Sequence, residues 1–328
     1  MTPTAQRSQP APLAVTLLAG GVGGARMAEG LAACPGTDLT VIGNIADDAA
    51  FHGLWVSPDI DTLTYTLAGL IDRNQGWGVA DEGHRALDML ERLGNPVWMS
   101  LGDRDLGVHI YRSQRRAQGD RPQHIATDIA RALGVGQRIV LPSDDVVQTR
   151  VLTDAGWIGF QDYFVRQRCA PRIRRIAFDG IDSARPTPEA LEAIANADLI
   201  VIAPSNPLVS IAPILGIAGI AAAIAGAAAP VIAVSPFIAG KVVKGPADRM
   251  MTDLGLRADA VGVARQYRDL ADALVIDRLD AHLTPLIEAE GPAAIPDDIL
   301  MPDLAAKARL AGGIIALGQR LAAQRGAA

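Results

Sequence analysis

Cysteine is almost missing from this chain: there are two in 328 residues, Cys34 and Cys169, set far apart. The spacing matches no disulfide framework, metal motif or redox motif, so a reduced, cytoplasmic setting is expected, with both thiols as small core residues. Positive charge is not in excess either. Thirty Lys and Arg stand against 36 Asp and Glu, a net charge of −6, which argues against a nucleic-acid partner. Residues 1–12 (MTPTAQRSQPAP) hold no apolar stretch of a signal peptide and are expected to be a disordered tail. Long apolar runs are lacking as well. From residue 199 to 240 nothing is charged, but Pro204, Pro207, Pro213, Pro230 and Pro236 interrupt the stretch. Its longest proline-free piece, 214–229, falls short of the roughly 20 residues a membrane span needs. It is expected to be one buried helix between two buried strands, with no membrane partner. Aromatics are few: four Trp, four Tyr and five Phe, of which ten lie between Phe51 and Phe164.

What the chain does have is apolar bulk. Hydrophobic residues make up 49% and charged residues 20%, which excludes a disordered chain and allows a large core. An apolar run at 13–19 (LAVTLLA) ends in Gly20, Gly21, Val22, Gly23 and Gly24. A helical stretch follows at 25–33, then a second apolar run at 39–43. Strand, glycine turn, helix, strand is a βαβ unit, and strands buried on both faces of a parallel sheet read as such runs. The pattern returns at 199–203, 231–235 and 274–277. The two ends of the chain thus predict an α/β fold, a Rossmann-like, doubly wound, mostly parallel sheet. Between them, 61–72, 81–93 and 123–133 read as helices, and 156–165 and 172–178 as strands. Roughly 59–164 is expected to be an inserted, largely helical segment of a single domain, 13–328. A C-terminal helix at 304–324 is expected to kink at Gly312 and Gly313.

Chemistry concentrates at the ends of these elements. The turn Gly20-Gly21-Val22-Gly23-Gly24-Ala25-Arg26 can bring backbone N–H groups to a phosphate. It is no dinucleotide fingerprint, because Arg26 stands at the third glycine position and the next strand ends in Asn44 rather than an acid. An NAD-dependent dehydrogenase is disfavoured accordingly. Asn44-Ile45-Ala46-Asp47-Asp48 comes after a strand's C-terminal end, where open α/β sheets bind ligands. Ser57-Pro58-Asp59-Ile60-Asp61-Thr62 lies close behind. Four carboxylates in 15 residues suit a hard cation with a phosphate, hence Mg²⁺; caps and turn formers are the plainer account. Leu101-Gly102-Asp103-Arg104-Asp105-Leu106 reads as a turn that offers a guanidinium, or as a salt-bridged surface loop. His109 beyond it reads as structural. Pro204-Ser205-Asn206-Pro207 fits a binding loop, and Lys241 or Lys244 could meet a phosphate. No Ser-His-Asp order, Cys-His pair or zinc-protease motif is visible.

Taken in order, these segments resemble the 2-phospho-L-lactate transferases of deazaflavin (coenzyme F420) biosynthesis. The resemblance rests on GGVGGAR (20–26), NIADD (44–48), SPDIDT (57–62) with Tyr65, GWG (76–78), LGDRDL (101–106), LPSDD (141–145) with Thr149, and FQDYFV (160–165). It continues through PSNPLVSI (204–211) with Pro213-Ile214-Leu215, SPFIAGK (235–241), GPA (245–247), and GVA with Tyr267. It implies a Mg²⁺-dependent enzyme of Rossmann-like fold, usually a homodimer. Such an enzyme moves a phospholactyl, phosphoenolpyruvyl or phosphoglyceryl group from a guanosine diphosphate-linked donor to the ribityl hydroxyl of the deazaflavin Fo, releasing GMP. By the same resemblance Asp47 and Asp59 hold the metal with Asp48 in support. Asp61 contacts Fo, with Thr62, Trp77, Ser100, Asp103 and Arg104 on the same side. The family position at Ser100 can be basic, so that contact differs here. The glycine turn (Gly20, Gly21, Gly23, Gly24), Asn44, Pro204, Ser205, Asn206 and Lys241 are placed on the nucleotide and its phosphates. Either Asp61 or Asp47 would take the hydroxyl proton. The alternative is a non-catalytic, nucleotide-sugar-binding regulator of the same superfamily. Trp77, Trp98, Phe160 and Tyr163 are candidates to stack on the flat acceptor.

Overall fold

A computed structural model of the chain describes residues 11–326; the tail expected at 1–12 lies, save its last two residues, outside them. β1 (Leu13–Ala19) leads into α1 (Gly21–Ala32) and β2 (Thr37–Gly43). A hairpin of β3 (Ala49–Phe51) and β4 (Leu54–Val56) precedes α2 (Pro58–Leu67), α3 (Arg85–Arg92), α4 (Asp103–Ala117) and α5 (Pro122–Ala132). After β5 (Arg138–Val140), the strands β6 (Gln148–Thr153), β7 (Gly156–Gly159) and β8 (Arg175–Asp179) form a small antiparallel sheet. The second half runs through α6 (Pro188–Ala195), β9 (Leu199–Ile202), α7 (Ala212–Gly216), α8 (Ile220–Ala225) and β10 (Val231–Val234). It continues with a small hairpin of β11 (Phe237–Ile238) and β12 (Lys241–Val242), then α9 (Ala247–Asp253), α10 (Ala260–Tyr267), β13 (Ala273–Asp277), α11 (Thr284–Glu288), β14 (Ala293–Asp297) and α12 (Leu304–Gly326).

Seven strands make the main sheet in the order β14-β13-β10-β9-β1-β2-β5, all parallel. This is the doubly wound Rossmann-like sheet that the apolar runs predict. Alternation along the strands feeds two cores, one on each face. Val15, Leu17 and Ala19 of β1 and Leu199 and Val201 of β9 pack with α1, α2 and α12; Leu18, Ile200 and Ile202 pack with α6, α8 and α10. A period of two with both faces buried is why these strands read as unbroken apolar runs. Chain order reverses at β1, which has β2 on one side and β9 on the other, so the crevice at its C-terminal end is the topological switch point. Among the described residues no helix is long and apolar enough to cross a membrane.

Several expected elements differ. The strand predicted over 156–165 stops at Gly159, and the chain turns into a short π-type helical turn at Asp162–Arg166. The spacing of Phe160, Tyr163 and Phe164 is i, i+3, i+4, a helical period rather than the alternation of a strand. The single helix expected over 214–229 is two short ones, α7 and α8, parted at Gly219, whose φ of +92° a helix does not accept. α12 runs unbroken through Gly312 and Gly313. The span 59–164 contains four helices and also β5, which pairs with β2 at the edge of the main sheet.

Candidate functional site

A cavity of about 450 Å³ opens where the switch point predicts it. The loops at the C-terminal ends of the strands build its wall: Gly20, Gly21 and Gly23 after β1, Asp47 after β2, Pro204, Ser205 and Asn206 after β9, and Ser235 and Pro236 after β10. The N-terminal part of α2 adds Asp59, Asp61 and Thr62. Trp77, Trp98, Ser100, Phe160 and Phe164 also line it.

The glycine turn is shaped by close packing. α1 begins at Gly21 itself, not at residue 25 as expected. A Cβ on Gly20 would sit 2.6 Å from Asp59 Oδ2, and one on Gly23 would collide with the Pro204 carbonyl oxygen. Ser205 Oγ accepts from the Gly20 N–H (3.2 Å) and donates to the Gly20 carbonyl (2.7 Å), tying the loop after β9 to the turn after β1. Gly24 is buried against Ala19 and Ser205 and does not line the cavity. Asn44 is fully buried and likewise absent from the wall. Its Nδ2 donates to Asp59 Oδ2 (2.9 Å) and to the Val209 carbonyl (3.2 Å), so it aims Asp59 rather than meeting a phosphate.

The carboxylates fall into distinct electrostatic settings. Asp47 and Asp59 are buried at the cavity wall, and no Lys, Arg or His lies within salt-bridging reach of either among the described residues. Burial, then the charge of Asp59, then that of Asp48 push the Asp47 carboxyl well above the usual range. Burial pushes Asp59 up to about 6, offset in part by hydrogen bonds from Asn44 and the Gly21 backbone. Asp48 does not reach the cavity. Its Oδ2 accepts from Ser57 Oγ (2.7 Å) and Trp55 Nε1 (3.0 Å), its Oδ1 has no partner, and burial raises it to about 7. It therefore braces the β4–α2 junction behind the site. Asp61 is different again: both of its oxygens accept from the buried guanidinium of Arg112 on α4. Thr149 Oγ1 donates to Asp47 Oδ1 (3.4 Å) and Gln161 Nε2 to the Asp47 carbonyl (3.0 Å), so the small sheet also helps to place Asp47.

Other expected residues sit elsewhere. The segment 101–106 is not a turn: it opens α4, with Asp103 accepting from the N–H groups of Arg85 and Ala86 at the start of α3. Arg104 donates to the Ala80 carbonyl (3.1 Å). Neither side chain lines the cavity. Lys241 is exposed on β12 and outside the wall, whereas Lys244 lines it and donates to the Gln75 carbonyl. Tyr163 is a core residue; the ring that lines the cavity beside Phe160 is Phe164, stacked on it at 5.6 Å. Sequence reading missed Arg112 altogether and gave His109 only a structural role. A helical reading of 103–117 would have found both, because Asp105, His109 and Arg112 share one face at i, i+4 and i+7.

The model of the 2-phospho-L-lactate transferase CofD family matches residues 15–296. A phosphoenolpyruvate transferase of Kitasatospora aureofaciens is 41% identical over 315 residues, covering 94% of this chain and 98% of that one. The phosphoenolpyruvate transferase of Mycobacterium leprae is 39% identical, covering 88% of this chain and 93% of that one. A solved UPF0052 family protein of Bacillus halodurans shares the fold at a TM-score of 0.60 and 17% identity, covering 94% of this chain and all of that one.

Proposed function

Because the chain belongs to the 2-phospho-L-lactate transferase CofD family, a family of phosphoacid transferases, we propose that it moves a phosphoacid group from a guanosine diphosphate-linked donor to the ribityl hydroxyl of the deazaflavin Fo, with release of GMP. The names of its 37–41% identical relatives favour phosphoenolpyruvyl as the group carried. In this reaction the hydroxyl oxygen bonds to the phosphorus that bears the three-carbon acid. The bond from that phosphorus to the bridging oxygen breaks, GMP leaves with the oxygen, and the hydroxyl proton goes to a base.

The observation that carries the proposal is the pair Asp47 and Asp59: two buried carboxylates side by side, raised in pKa, with no cationic partner, at the mouth of a helix N-terminus. Uncompensated buried carboxylates are costly unless a cation joins them, and hard oxygen donors suit Mg²⁺. These two residues would hold it, Asn44 fixing the angle of Asp59. The chemistry a bound Mg²⁺ supplies is neutralisation of diphosphate charge. The glycine turn and the Ser205 loop offer backbone N–H groups to the same diphosphate. Asp61 or Asp47, both facing the cavity, would take the acceptor's proton.

Asp47→Asn is expected to lower GMP release by at least 10²-fold, the usual scale for losing a group that stabilises transferring charge. Its circular dichroism spectrum should match the wild type and its melting temperature should be no lower, since the uncharged amide removes a buried charge. Near-normal turnover by this variant, with Fo and the enolpyruvyl donor, would overturn the assignment.

A further inference from the structure

Asp105, His109 and Arg112 project from one face of α4 towards Asp61 and Tyr65. His109 has no solvent-exposed surface, yet it lines the cavity with Asp61, Asp105 and Tyr65. Arg112 Nη1 lies 3.2 Å from His109 Nδ1. A guanidinium has only donors, so Nδ1 is the accepting nitrogen and the ring carries its hydrogen on Nε2. That Nε2–H makes no hydrogen bond among the described residues. Asp105 Oδ1 is 3.2 Å away but off the line that a hydrogen bond needs, and it already accepts from the Tyr65 hydroxyl at 2.6 Å. Leaving a buried N–H without a partner is costly. Arg112 fixes this tautomer, on a ring that belongs to a residue lining the cavity.

The chemistry of the four groups selects what can meet it. Asp61, Asp105 and His109 come within 4.8 Å of one another, as metal ligands would. The Arg112 guanidinium, bonded to both Asp61 oxygens and to His109 Nδ1, already supplies the positive charge there and repels a second cation. An anion is repelled by Asp61 and Asp105. A neutral hydroxyl satisfies both halves at once: its oxygen accepts from Nε2–H and its hydrogen goes to the Asp105 carboxylate.

We propose that His109 and Asp105 form a hydroxyl-binding subsite for the polyol part of the acceptor substrate, with Arg112 as the positioning residue that fixes the His109 tautomer. The proposal rests on Fo being the acceptor. It places recognition of the chain hydroxyls on α4, apart from the diphosphate on α1.

The test is nitrogen NMR of protein labelled with ¹⁵N-histidine, the His109 signals being assigned by their loss in His109→Gln. The ligand-free protein should show His109 as the neutral Nε2–H tautomer. Adding Fo should shift its Nε2 signal, and adding GDP should leave it in place. In turnover, His109→Phe should raise the KM for Fo roughly ten-fold, as loss of one hydrogen bond does, with the KM for the nucleotide donor unchanged. His109→Gln, which keeps a donor, should recover part of that loss. An Nδ1–H tautomer, or Fo binding with no change at His109, overturns the subsite while leaving the transferase reading intact. Failure of the wild-type protein to take up Fo, read by the deazaflavin's own fluorescence, overturns the function and the subsite's ligand together.

Discussion

Arg112 and Asp47 show how differently one fold treats buried charge. Arg112 is 5% exposed and Asp61 4%, and each neutralises the other across two hydrogen bonds. Removing one partner of such a pair leaves an uncompensated buried charge, which costs about 3–5 kcal/mol. Arg112→Met is therefore expected to lose stability on that scale in urea denaturation. A loss under about 1 kcal/mol would mean that the pair contributes no more than a surface ion pair. Asp47 has no cationic partner, only neutral neighbours such as Asn44 and Thr149 and the nearby carboxylates. The sequence placed both Asp47 and Asp61 at a site, since NIADD and SPDIDT mark loop-to-element junctions. It could not separate their roles, because the partner that distinguishes them, Arg112, stands 51 residues away from Asp61 along the chain.

At the scale of elements, the legible parts were those whose pattern is set locally. Strands β1, β2, β9, β10 and β13 announced themselves as apolar runs because both faces of the sheet are covered. The start of α1 did not. Glycine is a poor helix former, yet Gly21, Gly23 and Gly24 form its first turn, since contacts with the loop after β9 outweigh propensity there. Gly23→Ala should reveal this. A better helix former at that position would ordinarily stabilise, but its Cβ meets the Pro204 carbonyl, so a loss of about 1–3 kcal/mol is expected from thermal melts. A gain in stability would show that the loop gives way freely. The start of α4 was hidden for another reason: Gly102, Asp103 and Asp105 are turn formers as well as helix starters. Taking 101–106 for a turn removed the helical frame in which His109 and Arg112 line up.

Over the whole molecule, the raised carboxyls make stability depend on pH. Asp47, Asp48 and Asp59 bind protons more tightly folded than unfolded, where a carboxylate titrates near its ordinary value. Their stabilising contribution is therefore full below about pH 4 and is lost as pH rises, through about 6 for Asp59 and about 7 for Asp48, with Asp47 acting in the same direction. The divalent cation proposed above would take the place of those protons. The rise in melting temperature on adding Mg²⁺ should thus be larger at pH 8 than at pH 5.5, and Asp47→Asn should erase most of the difference. An equal rise at both pH values in the wild type would detach the cation from these residues. The knots that hold the site span great distances along the chain: Gly20 to Ser205 is 185 residues, and Asn44 to Val209 is 165. On the ribosome, then, all four aspartates from Asp47 to Asp61 emerge long before the backbone that aims them. For most of its synthesis the chain carries its acidic cluster as an unassembled, acid-rich segment, and the cavity wall is completed abruptly, when the loop after β9 closes over the first glycine turn.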